Sequence, residues 1–208
     1  MSRVQQRFFG RIAGIGSTSG TRVVVGRWER TPMGAFADAM VETAAGHRVL
    51  LAPTEEVADF IAATYSFDET RVEPFEASVT GATWEVRSPS LELTLVTGSR
   101  TALGHLLRVV PPPLARDPRW ATLVDPVARV ALRGVRTRGA ARDGRREFYG
   151  ASDVHRVTRA QGSFDGIPLG ELAPVDPPCR FGFSSTPRTP SVTDVVTTVE
   201  LRAATAGY

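Results

Sequence analysis

The chain has 208 residues, a mass of 22.4 kDa and a formal net charge of +3. Hydrophobic residues make up 42% and charged residues 23%, which is ordinary globular usage and excludes a disordered chain or a fibre. A lone cysteine, Cys179, excludes an internal disulfide and a cysteine-rich zinc site.

Two apolar runs, Phe8 to Ile15 and Thr21 to Trp28, flank Ser17-Thr18-Ser19-Gly20 and predict a hairpin. After the break at Thr31-Pro32-Met33-Gly34, the runs 35–43 and 47–52 flank Ala44-Ala45-Gly46 and predict a second hairpin. Thr54 is suited to cap a helix over 54–65, with Glu55 and Glu56 in its first turn and Val57, Phe60, Ile61 and Tyr65 at helical spacing. Strands follow over 71–79, 83–87 and 91–97; in the last, Leu91, Leu93 and Leu95 alternate with polar residues. Leu103, Leu106 and Leu107 predict a short helix ending before Pro111-Pro112-Pro113. Trp120, Leu123, Val127 and Val130 predict another, kinked at Pro126. Residues 133–144 are rich in Gly and Arg and read as a loop, 145–159 as a long strand interrupted at Gly150, 166–188 as irregular chain, and 192–203 as a closing strand.

This succession predicts a single domain over 1–208 of mainly β class: a curved antiparallel sheet or β-barrel, with a helical insertion over about 101–132. Strand–helix alternation of the doubly wound kind is missing. No apolar stretch is long enough for a transmembrane helix, and the first eleven residues lack the apolar core of a secretory signal. With one thiol, the expected compartment is the cytoplasm. An exposed strand edge would leave room for a homo-oligomer.

All 25 basic residues are Arg, and neither Lys nor Asn occurs. Without Lys there is no Schiff base and no Walker A loop. The three His show no metal-binding spacing, so no metal or other cofactor is expected. Gly14-Ile15-Gly16-Ser17-Thr18-Ser19-Gly20 is followed by a β-prone run rather than a helix, which argues for a hairpin over a phosphate loop. The charge is uneven, with 10 Arg against 12 acids in residues 1–107 and 15 Arg against 10 acids in 108–208. Aromatic interleaving around the Arg run is thin, so a nucleic-acid partner is disfavoured.

The richest segment is 145–156. On an unbroken strand Arg145, Glu147, Tyr149, Asp153 and His155 share one face. There Asp153, His155 and Glu147 would be the catalytic candidates, with Asp153–His155 handling a proton. Arg145 and Tyr149 would bind substrate, Arg145 holding an anionic group. A bulge at Gly150 would instead split the five between two faces.

Gly144-Arg145-Arg146-Glu147-Phe148-Tyr149-Gly150 resembles the Gly-Arg-Glu-Leu segment of acetoacetate decarboxylases, and Pro32-Met33-Gly34-Ala35-Phe36-Ala37-Asp38-Ala39-Met40 is similar to that family's Pro-Tyr-Gly-Glu strand entry. The two patches cover about 20 of 208 residues. Aligned on Glu147, the family's catalytic lysine position falls on Asp153. The resemblance implies a curved β-barrel with an internal cavity; the family's lysine chemistry does not carry over, because the chain has no Lys. The expectation is therefore a small-molecule-binding β-barrel, acting on an apolar or carboxylated molecule by lysine-independent lyase or cyclase chemistry if it is an enzyme. The alternative is an interaction module that uses the Arg/Gly-rich loop 133–146 to contact a protein or nucleic acid.

Overall fold

In the computed structural model, residues 3–111, 138–140, 146–182 and 185–202 are described. They form thirteen strands and two helices. β1 (Arg3–Ser17) turns into β2 (Arg22–Arg30) through Gly20, whose φ of 82° places it in the left-handed region that favours glycine. β3 (Phe36–Glu42) and β4 (Arg48–Ala52) make the second predicted hairpin. α1 (Glu55–Ala62) starts where Thr54 Oγ1 accepts from the Val57 amide at 3.3 Å, with Glu55 and Glu56 against the positive end of the helix dipole. Its buried residues Val57, Ala58 and Ile61 pack on Leu50 and Ala52 of β4.

α1 then acts as the crossover to β5 (Glu69–Val72), which pairs parallel to β4. Residues 71–79, expected as one strand, are split between β5 and β6 (Glu76–Thr80), with Pro74, which lacks an amide hydrogen, in the gap. β7 (Thr83–Arg87) and β8 (Leu91–Arg100) continue the antiparallel meander. α2 (Ala102–Val109) ends before Pro111, as its sequence predicts; the helix expected around Trp120 to Val130 lies outside the described residues. Part of the expected 133–144 loop is a strand, β9 (Arg138–Ala140), paired to β10 (Arg146–Phe164). The irregular stretch holds two short strands, β11 (Ile167–Pro168) and β12 (Leu172–Ala173), before β13 (Ser191–Arg202).

The strands form one sheet in the order β5-β4-β3-β2-β1-β13-β10-β8-β7-β6, with β9 and β11 attached to β10 and β12 to β1. The sheet is mixed and open: it ends at β5 and β6 and does not close into a barrel by a hydrogen-bonded ladder. It curls strongly. The Arg27 guanidinium on β2 reaches the Ala77 carbonyl on β6 at 3.2 Å, and Arg71 on β5 forks onto Asp165 beyond β10 at 2.5 and 3.2 Å.

The concave face is packed with apolar side chains. Trp84, Ile15, Leu51, Leu91 and Leu95 are at most 2% exposed there, each contributing roughly 1.5–3 kcal/mol of transfer free energy. The opposite face carries α1 and a segment in which Val175, Cys179 and Phe181 pack on Val24. That segment is fastened by Glu42. Its carboxylate is 0% exposed and accepts from the Arg180 amide and Nε, both at 2.8 Å, with Arg22 Nη2 at 3.1 Å.

Removing one partner of a buried ion pair strands the other charge. Glu42→Gln is therefore expected to cost about 3–5 kcal/mol, measured by urea unfolding.

Candidate functional site

The polar segment on β10 is divided by one extra residue. Ala151 lies opposite Val195 of β13, but Asp153 lies opposite Asp194, so Ser152 has no cross-strand partner. Side chains before and after such a bulge leave opposite faces of the sheet. Glu147 and Tyr149 consequently point to the α1 side, and Asp153 and His155 to the concave side. The expectation of a single five-residue face does not hold, and the break falls at Ser152 rather than Gly150. Arg145 lies outside the described residues, as does most of the loop 133–146.

Asp153 and His155 meet at the rim of the concave face. Arg100 forks onto Asp153, with Nε at 2.8 and 3.0 Å and Nη2 at 2.9 Å, and the Val154 amide donates at 2.9 Å. Burial pushes the Asp153 carboxyl up, but the hydrogen bonds from Arg100 and Val154 and the charges of Arg100 and His155 outweigh it and hold it below its usual range. His155 Nδ1 lies 3.2 Å from the Gly98 carbonyl, to which it donates, and Nε2 stands 3.5 Å from Asp153. Arg108 of α2 lies 3.8 Å from the same carboxylate. A Cβ on Gly104 would meet the Val154 carbonyl at 2.4 Å, so glycine lets α2 close onto β10 here. The rim cluster thus ties α2, β8 and β10 together.

Glu147 and Tyr149 meet a different set. Glu147 is 3% exposed and accepts from Thr64 Oγ1 at 2.9 Å, Tyr65 at 2.9 Å and Tyr149 at 3.2 Å; the two tyrosine hydroxyls also touch each other. Thr64 and Tyr65 follow the C-terminal end of α1. Burial first, and then the Glu147 charge, raise both tyrosines well above their ordinary value, so both are neutral donors.

Beside them on the same face is Asp38 of β3, 4% exposed. Trp28 Nε1 donates to its Oδ1 at 2.9 Å. The indole can lie there because residues 10 and 26 are glycines: a Cβ would meet Trp28 at 2.9 Å from Gly10 and at 2.6 Å from Gly26. Burial pushes the Asp38 carboxyl up to about 7, opposed only by the Trp28 hydrogen bond, and its charge acts on Tyr149. Phe8 packs edge-on to Trp28 with centroids 6.1 Å apart, Phe60 stacks on Phe8 at 4.8 Å, and Phe36 flanks the indole at 6.4 Å.

Sequence reasoning missed Asp38, Trp28, Thr64 and Tyr65. Asp38 and Phe36 share one strand parity in the quoted Pro32 to Met40 patch, and Tyr65 stands in the sequence only as a helically spaced residue of 54–65. Elsewhere, His47 is exposed beside Glu69 and His105 is exposed on α2. The buried Cys179 thiol is pushed up to about 11, mainly by desolvation, and stays protonated. Among the described residues no group of three or more His, Cys, Asp or Glu is placed to hold a metal ion, and no helix is long and apolar enough to cross a membrane.

A carboxyl raised in the folded state keeps its proton between about pH 4 and pH 7, where the unfolded chain has lost it, so stability falls as pH rises through that window. On Asp38 alone the loss is up to about 4 kcal/mol. Asp38→Asn is expected to remove that slope, and urea unfolding at about pH 5 and about pH 8 should show the variant gaining on wild type at the higher value.

No family model matches the chain, and no curated protein matches it. Solved structures that resemble it include an acetoacetate decarboxylase from Legionella pneumophila subsp. pneumophila str. Philadelphia 1, at 6% identity and a TM-score of 0.39 over 94% of this chain and 82% of that one. A second acetoacetate decarboxylase structure aligns at 9% identity and a TM-score of 0.44, over 95% of this chain and 85% of the other. This is a distant resemblance in the course of the chain, at which neither activity nor site residues transfer.

Proposed function

We propose that this chain binds a small molecule on the α1 side of its sheet, at the constellation of Asp38 and Trp28 with Glu147, Tyr65 and Tyr149. The carrying observation is Asp38, a carboxyl 4% exposed with one hydrogen bond, next to aromatic rings. Ligand sites combine an apolar lining with a few placed polar groups, at least one of them with a displaced pKa. Among the described residues the concave face is packed with core side chains.

The residues divide the work by their surroundings. Three hydroxyl donors fix the Glu147 carboxylate and, through it, Tyr65 and Tyr149. Asp38 has one donor and titrates near neutrality, so it is the group able to give or take a proton at a bound molecule. Chemistry of that kind, a proton transfer leading to elimination or cyclisation, requires no lysine. Asp153 and His155, first considered for this task, lie on the other face, with Asp153 engaged by Arg100.

Native mass spectrometry of the protein from its own host, followed by denaturing extraction, tests the reading. A co-purified small molecule is expected in wild type, and its occupancy is expected to fall about tenfold or more in folded Tyr149→Phe and Asp38→Asn variants. Wild type that carries no small molecule, or full occupancy in both variants, overturns it.

A further inference from the structure

β1 lies at the centre of the sheet, yet one end of it is an edge. β2 pairs with β1 from Gly16 only as far as Phe9, where Arg30 ends the ladder. On its other side β1 pairs with β13 over residues 3–14. Among the described residues, no strand therefore lies beside residues 3–8 on the β2 side. Exposure agrees: Val4 is 52% exposed, Gln5 and Arg7 are exposed, and Gln6 is half-buried. The backbone N–H and C=O groups of such an edge are a template for another strand.

The residues along this edge match a second copy of themselves in one register. Val4, Gln6 and Phe8 share the α1 face, where Phe8 stacks on Phe60, and Gln5 and Arg7 share the concave face. Two copies of a strand join one sheet antiparallel about a two-fold axis perpendicular to the sheet, so each face continues into the same face of the other copy. Directly opposed residues share a face, so the axis passes where one residue meets its own copy. Centred on Gln5, the pairing sets Arg3 against Arg7, and centred on Arg7 it sets that residue against itself; like charges directly opposite are destabilising. Centred on Gln6, the ladder runs over residues 4–8, up to the point where β2 begins, and no charge meets its like. Val4 then faces Phe8, Gln6 faces Gln6, and Arg7 faces Gln5. Gln5 donates its amide N–H to Glu200 at 3.1 Å, which keeps the side-chain oxygen as an acceptor for Arg7 of the other copy, with the Glu200 carboxylate behind it.

We propose that the β1 edge joins that of a second copy of this chain, antiparallel and centred on Gln6, so that one sheet runs through a two-fold dimer. The ladder supplies backbone hydrogen bonds, the exposed Val4 gains the Phe8 strand as a neighbour, and the Arg7–Gln5 pairs fix the register. This assignment is independent of the small-molecule reading, because no residue of the constellation around Asp38 and Glu147 takes part in the ladder.

Sedimentation velocity of the full chain over a concentration series tests it. Wild type is expected to form a species of twice the 22.4 kDa chain mass. Gln6→Glu and Gln6→Arg each set like charges against each other at the axis, and each is expected to weaken the dimer about tenfold. An equal mixture of the two variants sets Glu against Arg and is expected to restore it. A wild type that stays monomeric, a dimer indifferent to both substitutions, or a mixture as weak as its components overturns the proposal. Hydrogen exchange on wild type gives a readout that needs no variant. Protection of the amides of residues 4–8 is expected to rise with protein concentration, and exchange there that ignores concentration also overturns the proposal.

Discussion

The extra residue at Ser152 governs on which face Glu147, Tyr149, Asp153 and His155 of β10 act. Strand side chains alternate with a period of two, so one unpaired residue moves the side chains that follow it to the other side, here Asp153 and His155. Glu147 and Tyr149 are thereby delivered to the α1 face, where Thr64, Tyr65 and Asp38 are waiting, and Asp153 and His155 to the rim under α2. Without the bulge, Glu147 and Asp153 would share one face and neither cluster could assemble. The two clusters also differ in kind. Arginine saturates the rim carboxylate and pins a helix, whereas Asp38 on the α1 face is left with a single indole donor.

That difference is one of electrostatic compensation. At Glu42 and Asp153 the folded chain supplies guanidinium groups, and the carboxylates hold structure together. At Asp38 burial wins over a single hydrogen bond, and the group is shifted into the range where it changes charge near neutrality. Glycines at positions 10 and 26 are part of the same arrangement, because the indole that orients Asp38 needs their missing side chains.

Much of the fold was legible in the residues. The two hairpins, the Thr54-capped helix, the Leu91–Leu93–Leu95 alternation and the closing strand follow from turn chemistry and periodicity, which are local. The bulge was anticipated in kind but not in place, because its position depends on which residue of β13 each β10 residue faces, and a single strand does not encode its partner's register. Closure was equally out of reach: whether a curved sheet shuts is decided by its two edges, and β5 and β6 lie at opposite ends of the order. Asp38 and Tyr65 were readable as residues but not as neighbours of Glu147, which comes 82 or more positions later in the chain. The two patches compared with acetoacetate decarboxylases contain Asp38 and Glu147, but a motif resemblance along the chain does not say that the two residues share a face.

The centre of the sheet is made by β1 and β13, where residues 3–14 pair with residues 191–202. The chain must therefore be synthesised through residue 202 before the sheet's two halves can join fully. The first half, β1 to β5 with α1, can form its local hairpins early, but its apolar concave face has no cover until β6 to β8 are brought round and β10 and β13 dock. Pairings so far apart in sequence form slowly, because the loop entropy must be overcome before the contacts reward it. A nascent chain of this protein consequently spends its time on the ribosome with an unfinished edge at β1 and bare hydrophobic surface, the condition in which chaperones engage a chain and in which truncated products aggregate.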